Sequence, residues 1–218
     1  MGDKPARFDF TTLVAAIRQV DEHMAAQAGR AVNISLTLRN WAIGHYIYEY
    51  EQKGSDRAQY GERLLERLAE QLRKGGLSRV ESRELRRYRQ FYQLYPQIRE
   101  SVTPELNHLL LGSISPLSVE KRELPTPEWH HSGREIISKL SFTHLSELIA
   151  IDDNLKRAFY EMECIRDNWS VRELKRQINS LYYERSGLSK DKQKLAELVR
   201  SGAEIEEPKL TIRDPYIF

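Results

Sequence analysis

Cysteine is nearly missing. Cys164 stands alone in 218 residues, so an internal disulfide and a CxxC metal knuckle are both excluded. No apolar run approaches the roughly 20 residues that span a bilayer. The opening MGDKPARFDF lacks the apolar core of a secretory signal. A cytoplasmic, bacterial-type chain with no membrane partner is the expectation. A P-loop, a G-x-G-x-x-G turn and a G-x-S-x-G elbow are missing too, so nucleotide cradles and serine-hydrolase chemistry have no anchor here. Charge of one sign is not in excess: 34 Lys and Arg face 32 Asp and Glu, a net of +2. What is present suits a folded chain. Hydrophobic residues make up 40% and charged residues 30%, which argues against disorder. The length suits one large domain or two small ones.

The charge is unevenly spread. Residues 1–56 carry −1, residues 57–100 carry +5, residues 101–168 carry −4 and residues 169–218 carry +2. Two basic blocks are separated by an acidic one, and that distribution governs partner choice more than the net charge does.

Apolar spacing predicts a mainly α chain. Phe10, Leu13, Val14, Ile17, Val20 and Met24 form one stripe of a helix that closes near Gly29. A second helix carries Val32, Leu36, Ile43, Ile47 and Tyr50 and stops at Gly54. Gly44 inside it weakens the helix, so another backbone is expected to pack closely there. A third helix runs from Arg57 to Lys74. Ser78 and Glu81 form a capping box for a fourth that ends at Tyr95, before Pro96. Residues 101–134 hold four of the eight prolines and read as a linker or loop. Short helices then follow over Thr143–Ile151, after Asp152 or Asp153, and from Ser170 to about Arg185. The organisation predicted is 1–100, an N-terminal helical unit; 101–134, a Pro/Ser-rich linker; 135–205, a second helical unit; and 206–218, an extended tail.

Two helices carry a basic face. In the first, Arg79, Arg83, Arg86, Arg87 and Gln90 fall within about 100° of one another, opposite Leu85, Tyr88 and Tyr92. In the second, Arg172, Lys175, Arg176, Asn179 and Tyr183 lie opposite Val171, Leu174, Ile178, Leu181 and Tyr182, with no carboxylate expected among them. A preceding helix and a tight turn give each the outline of a helix-turn-helix. Guanidinium forks onto guanine edges or phosphate oxygens, so Arg79, Arg83, Arg86, Arg87, Arg172, Lys175, Arg176, Asn179 and Tyr183 are the candidate DNA-binding residues. The bland alternative is a solvated or protein-facing surface.

Other constellations are weaker. Glu173-Leu174-Lys175 matches the E-x-K half of a PD-(D/E)XK nuclease site. It sits on a helix rather than a strand, and Glu173 already serves a capping box with Ser170. His130, His131 and His144 are possible metal ligands, but the first two sit in a Pro-rich loop and lack a carboxylate at ligand spacing, so surface histidine is the simpler reading. Cys164 follows an apolar stripe and reads as a buried structural thiol. No catalytic residue, metal site or cofactor is assigned.

Several segments carry a family resemblance. Asn40-Trp41-Ala42-Ile43-Gly44-His45-Tyr46-Ile47, Arg57-Ala58-Gln59-Tyr60-Gly61 and Arg89-Gln90-Phe91-Tyr92-Gln93-Leu94-Tyr95-Pro96 come first. Leu140-Ser141-Phe142-Thr143-His144, Arg157-Ala158-Phe159-Tyr160, Trp169-Ser170-Val171-Arg172-Glu173-Leu174-Lys175-Arg176-Gln177-Ile178 and Asp214-Pro215-Tyr216 follow. In order and across nearly the whole chain, these resemble the YhcG family. The resemblance implies an α-helical N-terminal region of winged-helix or helix-turn-helix character, followed in full-length members by a Mg²⁺-dependent PD-(D/E)XK nuclease domain that cleaves DNA. The expectation is that this chain stops about where that domain begins. The turn Lys74-Gly75-Gly76-Leu77-Ser78 is shorter than the family's usual turn.

The sequence thus predicts a mainly α protein of two helical units with helix-turn-helix or winged-helix-like character, joined by a Pro-rich loop. Its expected function is binding of duplex or branched DNA for a nuclease domain. The alternative is a protein-interaction or dimerisation module, with the stripe of residues 10–24 and the aromatic-rich second helix as its interface. Self-association in a homodimer is a separate expectation, since the heptad-like stripe Phe10, Leu13, Ile17, Val20 and Met24 is too apolar to leave wet unless one subunit covers it.

Overall fold

The computed structural model describes residues 10–54, 63–77, 80–104, 106, 108 and 131–186. Among these residues the structure is α-helical with one 3-10 segment and no strand. The helices are α1 (Phe10–Lys53), α2 (Leu64–Lys74), α3 (Ser82–Leu94), α4 (Gly133–Lys139), α5 (Phe142–Ile149), α6 (Asn154–Arg166), α7 (Val171–Asn179) and α8 (Tyr182–Arg185), with a 3-10 segment at Pro96–Ser101.

α1 is one helix of 44 residues, not two. Gly29 was expected to close the first, but a lone glycine costs a helix interior only about 1 kcal/mol. The helix runs through it, and a β-carbon there would meet nothing within 4 Å. Gly44 behaves as its position implied. α1 and α3 cross so closely that a β-carbon on Gly44 would stand 2.0 Å from the Tyr88 carbonyl oxygen. Trp41, buried beside it, donates its indole N–H at 2.9 Å to the Tyr95 carbonyl, which also accepts from the Ile98 amide at 3.3 Å. Gly133 makes a second close approach, at the start of α4: its β-carbon would lie 2.3 Å from the Gln97 carbonyl oxygen.

α3 is the hub. It packs against α1, α2 and α5. Its buried Leu85 and Tyr88 join Ile47, Leu65, Ala69 and Val80 in one cluster. Phe91 belongs to a larger cluster with Leu38, Trp41, Ile98, Ile136, Leu145 and Phe159. That larger core draws on both halves of the chain. α3 begins at Ser82, with Glu81 extended at φ −102° and ψ 160° as its N-cap. The expected helix start and Ser78 cap are displaced accordingly, and Ser78 and Arg79 lie outside the described residues. Most of the 101–134 loop, residues 1–9 and everything after Ser186 also lie outside them. α4 starts at Gly133, capped by Ser132, slightly before the expected boundary at 135.

Among the described residues no helix is long and apolar enough to cross a membrane.

Candidate nucleic-acid interface

α5, α6 and α7 form a three-helix cluster in mutual contact. Each start is fixed by a side-chain cap; the sequence implied those at Asp153 and Ser170, and the structure adds one at Ser141. The Ser141 hydroxyl accepts from the His144 amide at 3.3 Å. The Asp153 carboxylate accepts from the amides of Leu155 and Lys156 at 2.8 and 3.1 Å. The Ser170 hydroxyl accepts from the Glu173 amide at 3.2 Å. Such caps satisfy amides that a helix start leaves unpaired, each contributing about 1 kcal/mol.

The turn from α6 to α7 comprises Asp167, Asn168, Trp169 and Ser170. Asn168 adopts φ 51°, a left-handed conformation that Asn tolerates. The Trp169 amide donates to the Cys164 carbonyl at 3.1 Å. His144 clamps the turn from outside. Its Nδ1 accepts from the Ser141 amide at 3.2 Å, and its Nε2 lies 3.0 Å from the Trp169 carbonyl oxygen. The neutral ring with its proton on Nε2 satisfies both partners. Burial holds its pKa below the usual histidine value, opposed by the bond to Trp169. This histidine, weighed from sequence as a metal ligand, is a capping and bracing residue. Ser-x-x-His just before an apolar run was the available signal.

α7 presents two unlike sides. Leu174 is fully buried, while Val171 and Ile178 are partly covered. Arg172, Lys175, Arg176 and Asn179 are all exposed on the other side. Acidic neighbours do reach this face, contrary to the expectation. Arg176 Nη2 lies 2.6 Å from Glu173 Oε1, and Lys175 Nζ lies 3.2 Å from Glu147 Oε1 on α5. Arg172 has no ion pair with a described residue. Glu173 therefore closes only half of a capping box. Its carboxylate turns to Arg176 and Gln177, and the Arg176 bond holds its pKa below the ordinary value.

Tyr183 does not share the face. α7 ends at Asn179, and Leu181 takes the left-handed conformation at φ 55°. This reversal turns Tyr183 inward, 5% exposed, with its ring 5.4 Å from that of Phe159. Leu181, expected inside, is exposed instead.

The other basic face is more confined. Arg83 and Arg86 are exposed on α3, with Arg86 3.8 Å from Glu66. Arg87 is held by Glu84 at 2.8 Å. Gln90 donates to the Ile149 carbonyl at 3.3 Å. Because α1, α2 and α5 surround α3, only Arg83 and Arg86 remain open. Arg79 lies outside the described residues.

Glu173 bonds to Arg176 and Gln177 while Lys175 pairs with Glu147 on α5, so the two charged side chains of the E-x-K match turn to different partners. Among the described residues no three His, Cys, Asp or Glu side chains gather as a metal site. His131 lies against Glu135 at 3.0 Å, and His130 lies outside the described residues.

The sequence reading missed a buried polar cluster. Glu161 on α6 is 2% exposed. Burial raises its pKa from 4.5 to about 7, against the lowering influence of His131, Tyr95 and Arg157. Among the described residues its Oε2 and the hydroxyl of fully buried Tyr95 find no hydrogen bond of good geometry, although Tyr95 is near enough to lower the Glu161 pKa. In sequence Glu161 is one acid of an ordinary charged helix, so nothing there marked it. Cys164, one turn on, is buried as expected.

The profile of the DUF1016 N-terminal domain matches residues 16–185, which takes in every helix of this cluster. The chain belongs to that family, the YhcG family. This DUF1016 domain is 32% identical over 195 residues to the Escherichia coli (strain K12) protein named "Putative nuclease YhcG". The alignment covers 86% of this chain and 49% of that relative, so the DUF1016 chain spans about half the relative's length. No solved structure matches it.

Proposed function

We propose that this DUF1016 domain binds duplex or branched DNA through the exposed side of α7 and delivers it to a nuclease domain of the kind the relative's name describes. The observation that carries the reading is Arg172, Lys175, Arg176 and Asn179 together on the outer side of a capped helix braced on the body. The α6–turn–α7 outline resembles a helix-turn-helix, in which the second helix meets the major groove. The ion pairs to Glu173 and Glu147 do not oppose this. Exposed pairs are worth about 0–1 kcal/mol, so both cations can transfer to phosphate. Asn179 and Arg172 then supply the base-reading chemistry.

Fluorescence anisotropy on a DNA duplex across a salt series tests it. Affinity should fall with salt at a log–log slope near −0.9 per phosphate contact. Arg172→Ala with Arg176→Ala should weaken binding and flatten that slope by about 2. Circular dichroism should be unchanged, since neither side chain enters the core. Wild-type binding by the double variant at every salt concentration would overturn the reading.

A second reading, a protein-interaction or dimerisation module, is favoured by the uncovered apolar side of α1.

A further inference from the structure

Every residue of α1 from 10 to 32 is exposed. The helix then enters the body, where Thr37, Leu38, Asn40 and Trp41 are buried. α1 is therefore half arm and half core. Along the arm, Phe10 is 78%, Ile17 60%, Val20 63% and Met24 55% exposed. An apolar stripe of this kind on a free helix calls for a partner.

The arm and the core share one seam. Alternating steps of three and four residues lead from Phe10 through Ile17, Met24 and Ala31 to Leu38 and Trp41. This 3.5-residue period is that of a left-handed two-helix coil. Beyond residue 33 the seam is covered by the protein's own core. Before it, no described residue covers the same seam.

We propose that a second copy of this chain covers the arm, with the two arms antiparallel in a two-helix coiled coil. The body itself sets the direction. It occupies the seam from Ile34 onward, so a parallel in-register partner would meet it. An antiparallel partner carries its own body to the opposite end, beyond Phe10. The side chains fit this arrangement. Setting Ile17 against Val20 of the second copy brings Leu13 against its Met24 and Phe10 against its Gln27. The flanking positions then pair Val14 with Asp21 and Ala16 with His23, and no like charges face each other. The overlap of residues 10–27 is about 27 Å long at 1.5 Å per residue. The arm also needs such support as a helix, since isolated helices of this length are marginal in water.

Sedimentation equilibrium of the 218-residue chain, from low to high micromolar concentration, tests the pairing. A reversible monomer–dimer equilibrium is expected. Ile17→Asp with Val20→Asp should abolish the dimer and leave near-ultraviolet circular dichroism unchanged, because the core holds neither residue. Direction is read by cross-linking. Leu13→Cys combined with Met24→Cys should form a disulfide dimer on mild oxidation, whereas Leu13→Cys alone should not. Native Cys164 is buried and does not interfere. A monomer at all concentrations, or a dimer that survives the two aspartates, overturns the proposal. Efficient cross-linking by Leu13→Cys alone overturns the antiparallel arrangement. Loss of DNA binding in the Arg172 and Arg176 variant bears only on the α7 reading.

Discussion

Gly44 and Tyr88 are in backbone contact across α1 and α3: a β-carbon on Gly44 would lie 2.0 Å from the Tyr88 carbonyl oxygen, 2.6 Å from its carbonyl carbon and 3.1 Å from Tyr92 Cβ. Neither carbonyl atom can swing aside as a flexible side chain would. Gly44→Ala must therefore push the two helices apart. Overpacking of this kind costs about 1–3 kcal/mol, partly offset by alanine's better helix propensity of about 1 kcal/mol. A net loss of stability is expected, read as a lower urea midpoint at unchanged slope. A midpoint equal to or above wild type would mean that the helices separate without cost.

Glu161 makes stability depend on pH in a stated direction. Its pKa in the folded chain is about 7, against an ordinary 4.5. A raised pKa means the folded state holds the proton more tightly. Its contribution is fully present below pH 4.5 and is lost as pH rises through about 7. The shift corresponds to on the order of 3 kcal/mol. Glu161→Gln should remove this dependence, so the variant should gain on wild type between pH 4.5 and 7.5 in thermal unfolding. Parallel pH profiles for the two proteins would show that Glu161 is not held protonated.

The two basic faces should respond differently to truncation. Arg83→Ala with Arg86→Ala should flatten the salt dependence of DNA binding less than Arg172→Ala with Arg176→Ala. On α3 only Arg83 and Arg86 are exposed among the described basic residues, whereas α7 exposes Arg172, Lys175, Arg176 and Asn179 together. An equal or larger effect on α3 would make it the principal contact.

Glu173 competes with DNA for Arg176. Glu173→Gln should therefore tighten duplex binding by roughly two- to fivefold, the worth of an exposed ion pair. It should leave the helix start intact, because Ser170 caps through the Glu173 backbone. The chain with Mg²⁺ should leave supercoiled plasmid intact in either form. Plasmid cleavage that depends on Glu173 would restore the E-x-K pair as chemistry.

What the sequence revealed was local. Ser170, Asp153 and the Gly44 contact followed from helix caps and from the one residue a close crossing tolerates. What it concealed depended on partners far along the chain. Glu147 reaches Lys175 only because α5 packs on α7, and Glu161 is buried only because the fold closes around α6. Gly29 misled for the opposite reason: a weak local preference lost to the continuity of a long helix. Leu181 carries no special residue type, so its left-handed turn, and with it the fate of Tyr183, was not legible.

Cys164 turns the molecule into its own clock. The thiol is 2% exposed, and burial together with the charges of Glu161 and Glu163 pushes its pKa up to about 12. Thiolate, the form that alkylating reagents attack, is thus scarce as well as hidden. An alkylating pulse can mark the chain only during moments when α6 comes out of the core. The rate of that single modification measures how often the innermost helix opens, with no probe added and no other sulfhydryl to confuse the count.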